Sequence, residues 1–242
     1  MSTSTFEEKR PAGDNWGWLV PGHPSKPQMS VKPLSFLPGE VFSAGRSSQC
    51  NLNLTPWYYE GDPKGPIENV PKLLLSISRI HFEILRKDEK TYIVGRSENG
   101  TFVRGEKLQK DQPRPLKHGD VVAVVDPDNN LFMYLHEASI LSMNFPTKIK
   151  TSYLIGKEVG RGSYGDVYLA YSRIDLEPVA LKVIKRDSQE YKQLGVNIEP
   201  REARIQRMLK NPYVLPLKEY VEDRHYSVLV MEFAKGKLIS FS

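Results

Sequence analysis

The 242 residues predict two domains of different class. The first is an all-β sandwich, and the second an α+β lobe of five antiparallel strands and one helix. Three observations predict them. Residues 16–137 run as short β-type segments broken by Gly, Pro, Asn and Asp, with no convincing helical period. From Tyr153 the pattern becomes strand, glycine-rich loop, strand, turn, strand. A helix then begins near Pro200, whose fixed φ and missing N–H suit a first helical turn.

In the first domain the clearest strands are 80–85, 91–94, 100–103, 121–125 and 131–135. Segment 55–72, rich in Pro, Gly and charge, is expected as a long surface loop. The expected organisation is a disordered polar tail over 1–14, the β domain over 15–140, a short linker over 141–152, the second lobe over 153–236 and a divergent end over 237–242. In the second lobe Ile198, Glu202, Ile205 and Leu209 fall on one helical face. Two further strands are expected at 215–222 and 226–233. There are no internal repeats.

Composition removes several classes of function. A net charge of +5 is too mild to argue for nucleic-acid binding, although a basic patch would suit a phosphopeptide. Cys50 is the only cysteine, so no intramolecular disulfide can form, which fits a reducing compartment. No apolar run approaches the ~18 residues of a membrane span, and residues 1–10 lack the apolar core of a signal peptide. The expectation is an intracellular soluble protein with neither a membrane nor a nucleic-acid partner.

The stretch Val159-Gly160-Arg161-Gly162-Ser163-Tyr164-Gly165-Asp166-Val167 reads as a phosphate loop. Dinucleotide-binding folds open a helix at the third glycine. Here β-prone residues follow it, and the next apolar strand, Val179-Ala180-Leu181-Lys182, carries a lysine. Glycines let backbone N–H groups close over phosphates where side chains would intrude. Lys182 supplies positive charge for them. Glu202 lies on the apolar stripe of its helix, where an unpaired carboxylate costs several kcal/mol. Lys182 is the partner that would relieve that cost.

In the β domain, Gly45-Arg46, Ser78-Arg79-Ile80-His81 and Asn99-Gly100-Thr101 occur in that order. Arg46 can offer a charge-assisted fork, Ser78 a hydroxyl donor and Arg79 a second cation. Asn99 carries both amide donor and acceptor. Gly45, His81 and Gly100 are expected to hold loops in shape. These groups suit a phosphothreonine, which brings about −1.5 to −2 charges and three acceptor oxygens.

Residues 153–236 resemble the amino-terminal lobe of a eukaryotic protein kinase. The resemblance implies an ATP site formed by Gly160, Gly162, Gly165, Val167, Ala180, Lys182, Met231, Glu232 and Ala234. Ala180 would line the adenine pocket, Met231 would be the gatekeeper, and the backbone of Glu232 and Ala234 would meet the adenine edge. Lys182 and Glu202 would form the kinase ion pair. Many such kinases place an acidic residue for the ribose after a second hinge glycine. Here Gly236 is followed by Lys237 and Leu238. No His-Arg-Asp or Asp-Phe-Gly occurs before Ser242. The resemblance therefore implies an absent carboxy-terminal lobe, absent Mg²⁺ ligands, a weak or incomplete ATP site and a catalytically incomplete chain.

The three loop motifs of the β domain, in their order, resemble the forkhead-associated domain, a phosphothreonine-binding β-sandwich. Placed before a kinase domain, it resembles the checkpoint kinase 2 family of serine/threonine kinases. That resemblance implies a nuclear protein of DNA-damage or meiotic checkpoint signalling, with phosphothreonine-containing proteins as partners and a possible homodimer. Many members carry a Ser-Gln or Thr-Gln cluster ahead of the domain. Here such dipeptides are Ser48-Gln49 and Ser188-Gln189. Three readings stay open: a phosphothreonine module on an incomplete lobe, a fragment of an active kinase, and a dimerising scaffold.

Overall fold

The computed structural model describes residues 15–22, 32–34, 40–55, 76–162, 165–186, 201–208 and 215–234. Its first part is a β-sandwich. Strands β1 (Gly17–Pro21), β2 (Lys32–Leu34), β3 (Val41–Gly45), β4 (Leu52–Asn53), β5 (Phe82–Lys87) and β6 (Lys90–Gly95) are followed by β7 (Thr101–Val103), β8 (Glu106–Lys107), β9 (Pro113–Pro115), β10 (Val121–Val124) and β11 (Asn130–His136). One sheet has the order β2-β1-β11-β10-β7-β8 and the other β4-β3-β5-β6-β9. Between them lie Leu19, Phe42, Phe82, Ile84, Ile93, Val122, Phe132 and Tyr134. The expected strands are present with ends shifted by up to two residues. The strands that sequence patterning missed are mostly two- or three-residue edges. Among them β9 is Pro-Arg-Pro, a composition that only an edge tolerates. Segment 55–72 lies outside the described residues except for Thr55.

The second part is an antiparallel sheet with the order β12-β13-β14-β16-β15. Its strands are β12 (Tyr153–Gly162), β13 (Gly165–Ser172), β14 (Pro178–Lys185), β15 (Leu217–Glu222) and β16 (Tyr226–Glu232). Period-2 alternation divides its residues between two faces. Val179, Leu181, Val183, Val228 and Val230 face one core, while Ala180, Leu229 and Met231 face the other beside the helix Arg201–Met208. Among the described side chains of that helix Ala203 is the buried one, and Ile205 is 41% exposed. Of the expected stripe, Ile205 is thus corrected: Ala203, not Ile205, packs against the sheet. Ile198 and Leu209 lie outside the described residues.

The connection between the two parts is not an extended linker. It forms α1 (Glu137–Ser142) and α2 (Thr147–Ser152), which bury Ile140 and Ile149. These two side chains enter one core with Val20, Met133 and Leu135 of the sandwich and Leu154, Ile155, Leu169 and Tyr171 of the lobe. A Cβ on Gly156 of β12 would stand 2.7 Å from Met133 Cε, so glycine is what admits that methionine. The Tyr171 hydroxyl donates to the Pro21 carbonyl at 2.8 Å. Arg173 grips Glu137 through both terminal nitrogens, at 2.7 and 3.2 Å. Glu137 also accepts from Trp18 Nε1 at 2.7 Å, and the Arg173 guanidinium lies 5.7 Å from the Trp18 ring centroid.

Sandwich and lobe thus share a hydrophobic core, and damage to it should be felt on both sides. Met133 is fully buried, so Met133→Ala should cost about 2–5 kcal/mol. Amide exchange should quicken in β12 and β13 as well as in β11. Exchange that changed in β11 alone would show that the two parts open independently.

Candidate functional site

The recognition loops meet at one end of the sandwich. The Arg46 N–H donates to Ser78 O at 3.0 Å and the Ser47 N–H to Arg79 O at 3.1 Å. At Gly45 a Cβ would stand 2.1 Å from Arg79 O, so only glycine allows the two loops to approach this closely. Cys50 Sγ donates to the same carbonyl at 3.2 Å. Arg46 and Arg79 are thereby held side by side, both exposed.

His81 ties in the third loop. Its Nδ1 accepts the Ser78 N–H at 3.3 Å, which leaves Nε2–H to donate to Gly100 O at 2.9 Å. Burial is the main cause that pushes its pKa below the ordinary value, the bond to Gly100 acting in the opposite sense. Gly100 has φ +98°, a conformation that side chains rarely adopt. Asn99 Nδ2 donates to Ser76 O at 2.8 Å. Ser97, which sequence reasoning missed, joins these parts. It is buried, its Oγ takes the Ser78 hydroxyl at 2.8 Å and the Asn99 N–H at 3.2 Å. Its place two residues before Asn99 is the signal that a serine-turn reading would have used.

Charge pairing separates two arginines from the rest of the sandwich. Arg86 pairs with Glu89, Arg96 with Glu83 and Asp111, Arg104 with Asp120, and Arg114 with Glu106. Arg46 and Arg79 have no carboxylate partner among the described residues. Arg46 and Arg79 lie on loops joined by main-chain hydrogen bonds, with Ser78 and Asn99 on the same loops, the residue types that suit an anion.

The second candidate site lies on the inner face of the lobe sheet. Val167 pairs across the strands with Lys182, and Ala180 with Met231. Ala180 and Met231 are buried there, with Val167 packed against them. Glu232 and Ala234 are exposed just beyond. Gln206 Nε2 reaches Met231 Sδ at 3.4 Å. Glu202 belongs to the helix, and its side chain lies outside the described residues, as do Ser163 and Tyr164.

The three glycines of the loop differ in what they are for. Gly165 has φ +126°, and a Cβ there would stand 2.4 Å from Val183 O, so the backbone requires it. At Gly160 and Gly162 the nearest atoms to a Cβ would be 3.8 and 3.9 Å away. Among the described residues, then, nothing crowds a side chain at either position.

Residues 42–125 match the FHA domain family, and residues 153–241 match the protein kinase domain family. The second match runs beyond Gly236, where the divergent end was expected to start. Ovarian-specific serine/threonine-protein kinase Lok of Drosophila melanogaster is 29% identical over 210 residues, covering 83% of this chain and 42% of Lok. Serine/threonine-protein kinase chk-2 of Caenorhabditis elegans is 26% identical over 165 residues, covering 66% of this chain and 34% of its own. A crystal structure of Rad53 in complex with AMP-PNP aligns over 90% of this chain and 54% of that one, at 23% identity and a TM-score of 0.37. The chain spans less than half the length of Lok and chk-2.

Fold and family matches define a β-sandwich FHA domain followed by a protein kinase domain. The chain carries the two domains in the order FHA then protein kinase, and it is similar to the checkpoint-type kinases Lok and chk-2.

Two outcomes follow from the loop geometry. The His81 ring should titrate below the ordinary ~6.5 of a histidine, as read from its NMR ring-proton shifts. A folded pKa below the unfolded one means that the stability His81 contributes is present above ~6.5 and is lost as pH falls below it. A midpoint at or above 6.5 would contradict the neutral, hydrogen-bonded ring. Separately, Gly165→Ala should destabilise the lobe, while Gly162→Ala should leave its melting temperature within a degree or two. Equal losses in both would remove the distinction between backbone and ligand glycines.

Proposed function

We propose that the FHA domain binds phosphothreonine-containing proteins through Arg46, Ser78, Arg79 and Asn99. One observation carries this reading. The sandwich pairs Arg86, Arg96, Arg104 and Arg114 with carboxylates and leaves Arg46 and Arg79 free of them among the described residues. A phosphate would complete what the fold leaves uncompensated, with charge-assisted hydrogen bonds worth about 1.5–3 kcal/mol each. Gly45, His81 and Gly100 act by holding the loops, and Ser97 by orienting Ser78 and Asn99.

ATP is the second ligand in this proposal. Val167 and Ala180 would line one side of the adenine pocket, Met231 would be the gatekeeper, and the backbone of Glu232 and Ala234 would meet the adenine edge. Gly160, Gly162 and Gly165 would close over the phosphates, with Lys182, braced by Glu202, as their counter-charge. When bound, the nucleotide supplies a transferable phosphoryl group. The expected base and Mg²⁺ carboxylates of His-Arg-Asp and Asp-Phe-Gly are not in this sequence. The kinase activity is therefore proposed for a longer protein, as the lengths of Lok and chk-2 favour. Checkpoint signalling in response to DNA damage or in meiosis, a nuclear location and pairing of two copies belong to the same proposal.

Arg46→Ala should weaken binding to a phosphothreonine peptide at least ~10-fold, equivalent to about 1.4 kcal/mol. Arg79→Ala should weaken it less, and both variants should keep the wild-type melting temperature. Calorimetry that found unchanged affinity in folded Arg46→Ala would remove the assignment.

A further inference from the structure

The loop that carries Arg46 also carries an exposed hydroxyl that the recognition reading leaves without a task. We propose that Ser48 is a phosphorylation site, and that a phosphate placed on it occupies the Arg46 and Arg79 guanidinium groups and shuts out a phosphothreonine ligand. The inference rests on the phosphothreonine reading of that site.

Geometry and exposure single out Ser48 among the serines of these loops. Ser78 is half-buried and gives its hydroxyl to Ser97 at 2.8 Å. Ser47 is half-buried, and its Oγ accepts the Gln49 N–H at 3.2 Å. Ser48 and Gln49 are exposed at the tip of the turn. That turn is fixed rather than loose. Cys50 N–H closes onto Ser47 O at 3.1 Å, while the Ser47 N–H and Cys50 Sγ both bond to Arg79 O. Ser48 thus stands two residues from Arg46, in a turn whose Ser47 and Cys50 both bond to the Arg79 main chain. Two residues of chain span at most about 7 Å, which an arginine side chain and a phosphoserine bridge together.

The modifying reaction requires ATP and a second protein serine/threonine kinase acting in trans. Ser48 Oγ forms the new bond to the γ-phosphorus, and the bond from that phosphorus to the bridging oxygen breaks. ADP leaves, and the hydroxyl proton passes to the base of the modifying kinase. The product carries about −1.5 to −2 charges beside two guanidinium groups that have no other anionic partner among the described residues. A tethered phosphate acts at an effective concentration of order mM. It therefore competes with any phosphopeptide below that level and also repels its phosphate.

The test installs phosphoserine at position 48 of the full chain by genetic code expansion. The probe is a fluorescent phosphothreonine peptide pool randomised at every other position. The unmodified chain should bind the pool, and the phosphoserine chain should bind it at least ~10-fold more weakly. The phosphoserine ³¹P resonance should also titrate at lower pH than in an Arg46→Ala/Arg79→Ala variant carrying the same phosphate. Binding within twofold of the unmodified chain would overturn the inference and leave phosphothreonine recognition standing. Weakened binding with no difference in the ³¹P titrations would also overturn it, since the phosphate would then act by disturbing the loop. An unmodified chain that failed to bind the pool would sink the recognition reading, and this inference with it.

Discussion

Strand β11 is buried on both faces, and the rest of the molecule is arranged around that constraint. Phe132 and Tyr134 fill the sandwich core, while Met133 and Leu135 enter the core shared with the lobe. An antiparallel strand with one wet face would alternate apolar and polar residues. Leu131-Phe132-Met133-Tyr134-Leu135 does not alternate, and all five are buried. Burial of a large apolar side chain is worth about 1.5–3 kcal/mol, so exposing Met133, Leu135 and Val20 by separating the parts would cost several. Domains of a chain move relative to one another unless their interface is apolar and close-packed. Here the polar fastenings of Arg173, Glu137, Trp18 and Tyr171 surround an apolar centre.

The recognition end obeys a different economy. Its loops are connected by backbone and side-chain hydrogen bonds through His81 and Ser97 rather than by apolar packing. A network that is fully satisfied internally can hold charged side chains outward without collapsing onto them. Because the scaffolding bonds use main-chain groups of Arg46, Ser78 and Arg79, the guanidinium groups remain available. Elsewhere in the sandwich, Arg96 is spent on Glu83 and Asp111, whose hydrogen bonds hold its pKa above the usual arginine value.

Much of this was legible in the sequence, and what was not has identifiable physical causes. Both fold classes, the five-stranded lobe sheet and the central strands follow from hydrophobic period. Strands such as β4 and β8 are two residues long and carry no measurable period. The helical connection escaped because α1 and α2 are six residues each, too short to show amphipathicity, and take their stability from burying Ile140 and Ile149. Ile205 was misplaced on the buried face because a small residue, Ala203, occupies the contact. Residues 131–135 were readable as a strand. Their second buried face was readable too, but only by asking why five apolar residues stand in a row. The chemistry of Arg46, Ser78, Arg79 and Asn99 could be proposed from residue type and order, whereas the convergence of Gly45, His81 and Ser97 on them is a property of the fold.

Glycine carries the sharpest contrast between what folding demands and what it permits. Gly45 and Gly165 stand where a Cβ would strike Arg79 O or Val183 O, so their identity is explained within the chain. Gly160 and Gly162 have no such explanation among the described residues, where a side chain at either would make only ordinary contacts. Glycine in a strand interior costs roughly 0.5–1 kcal/mol relative to alanine. In β12 two such positions stand where the described residues give no internal reason for glycine, which is the pattern the proposed nucleotide site would account for. The same inference runs through the arginines: a group that the fold could have compensated and did not is more informative about function than one that is fully engaged.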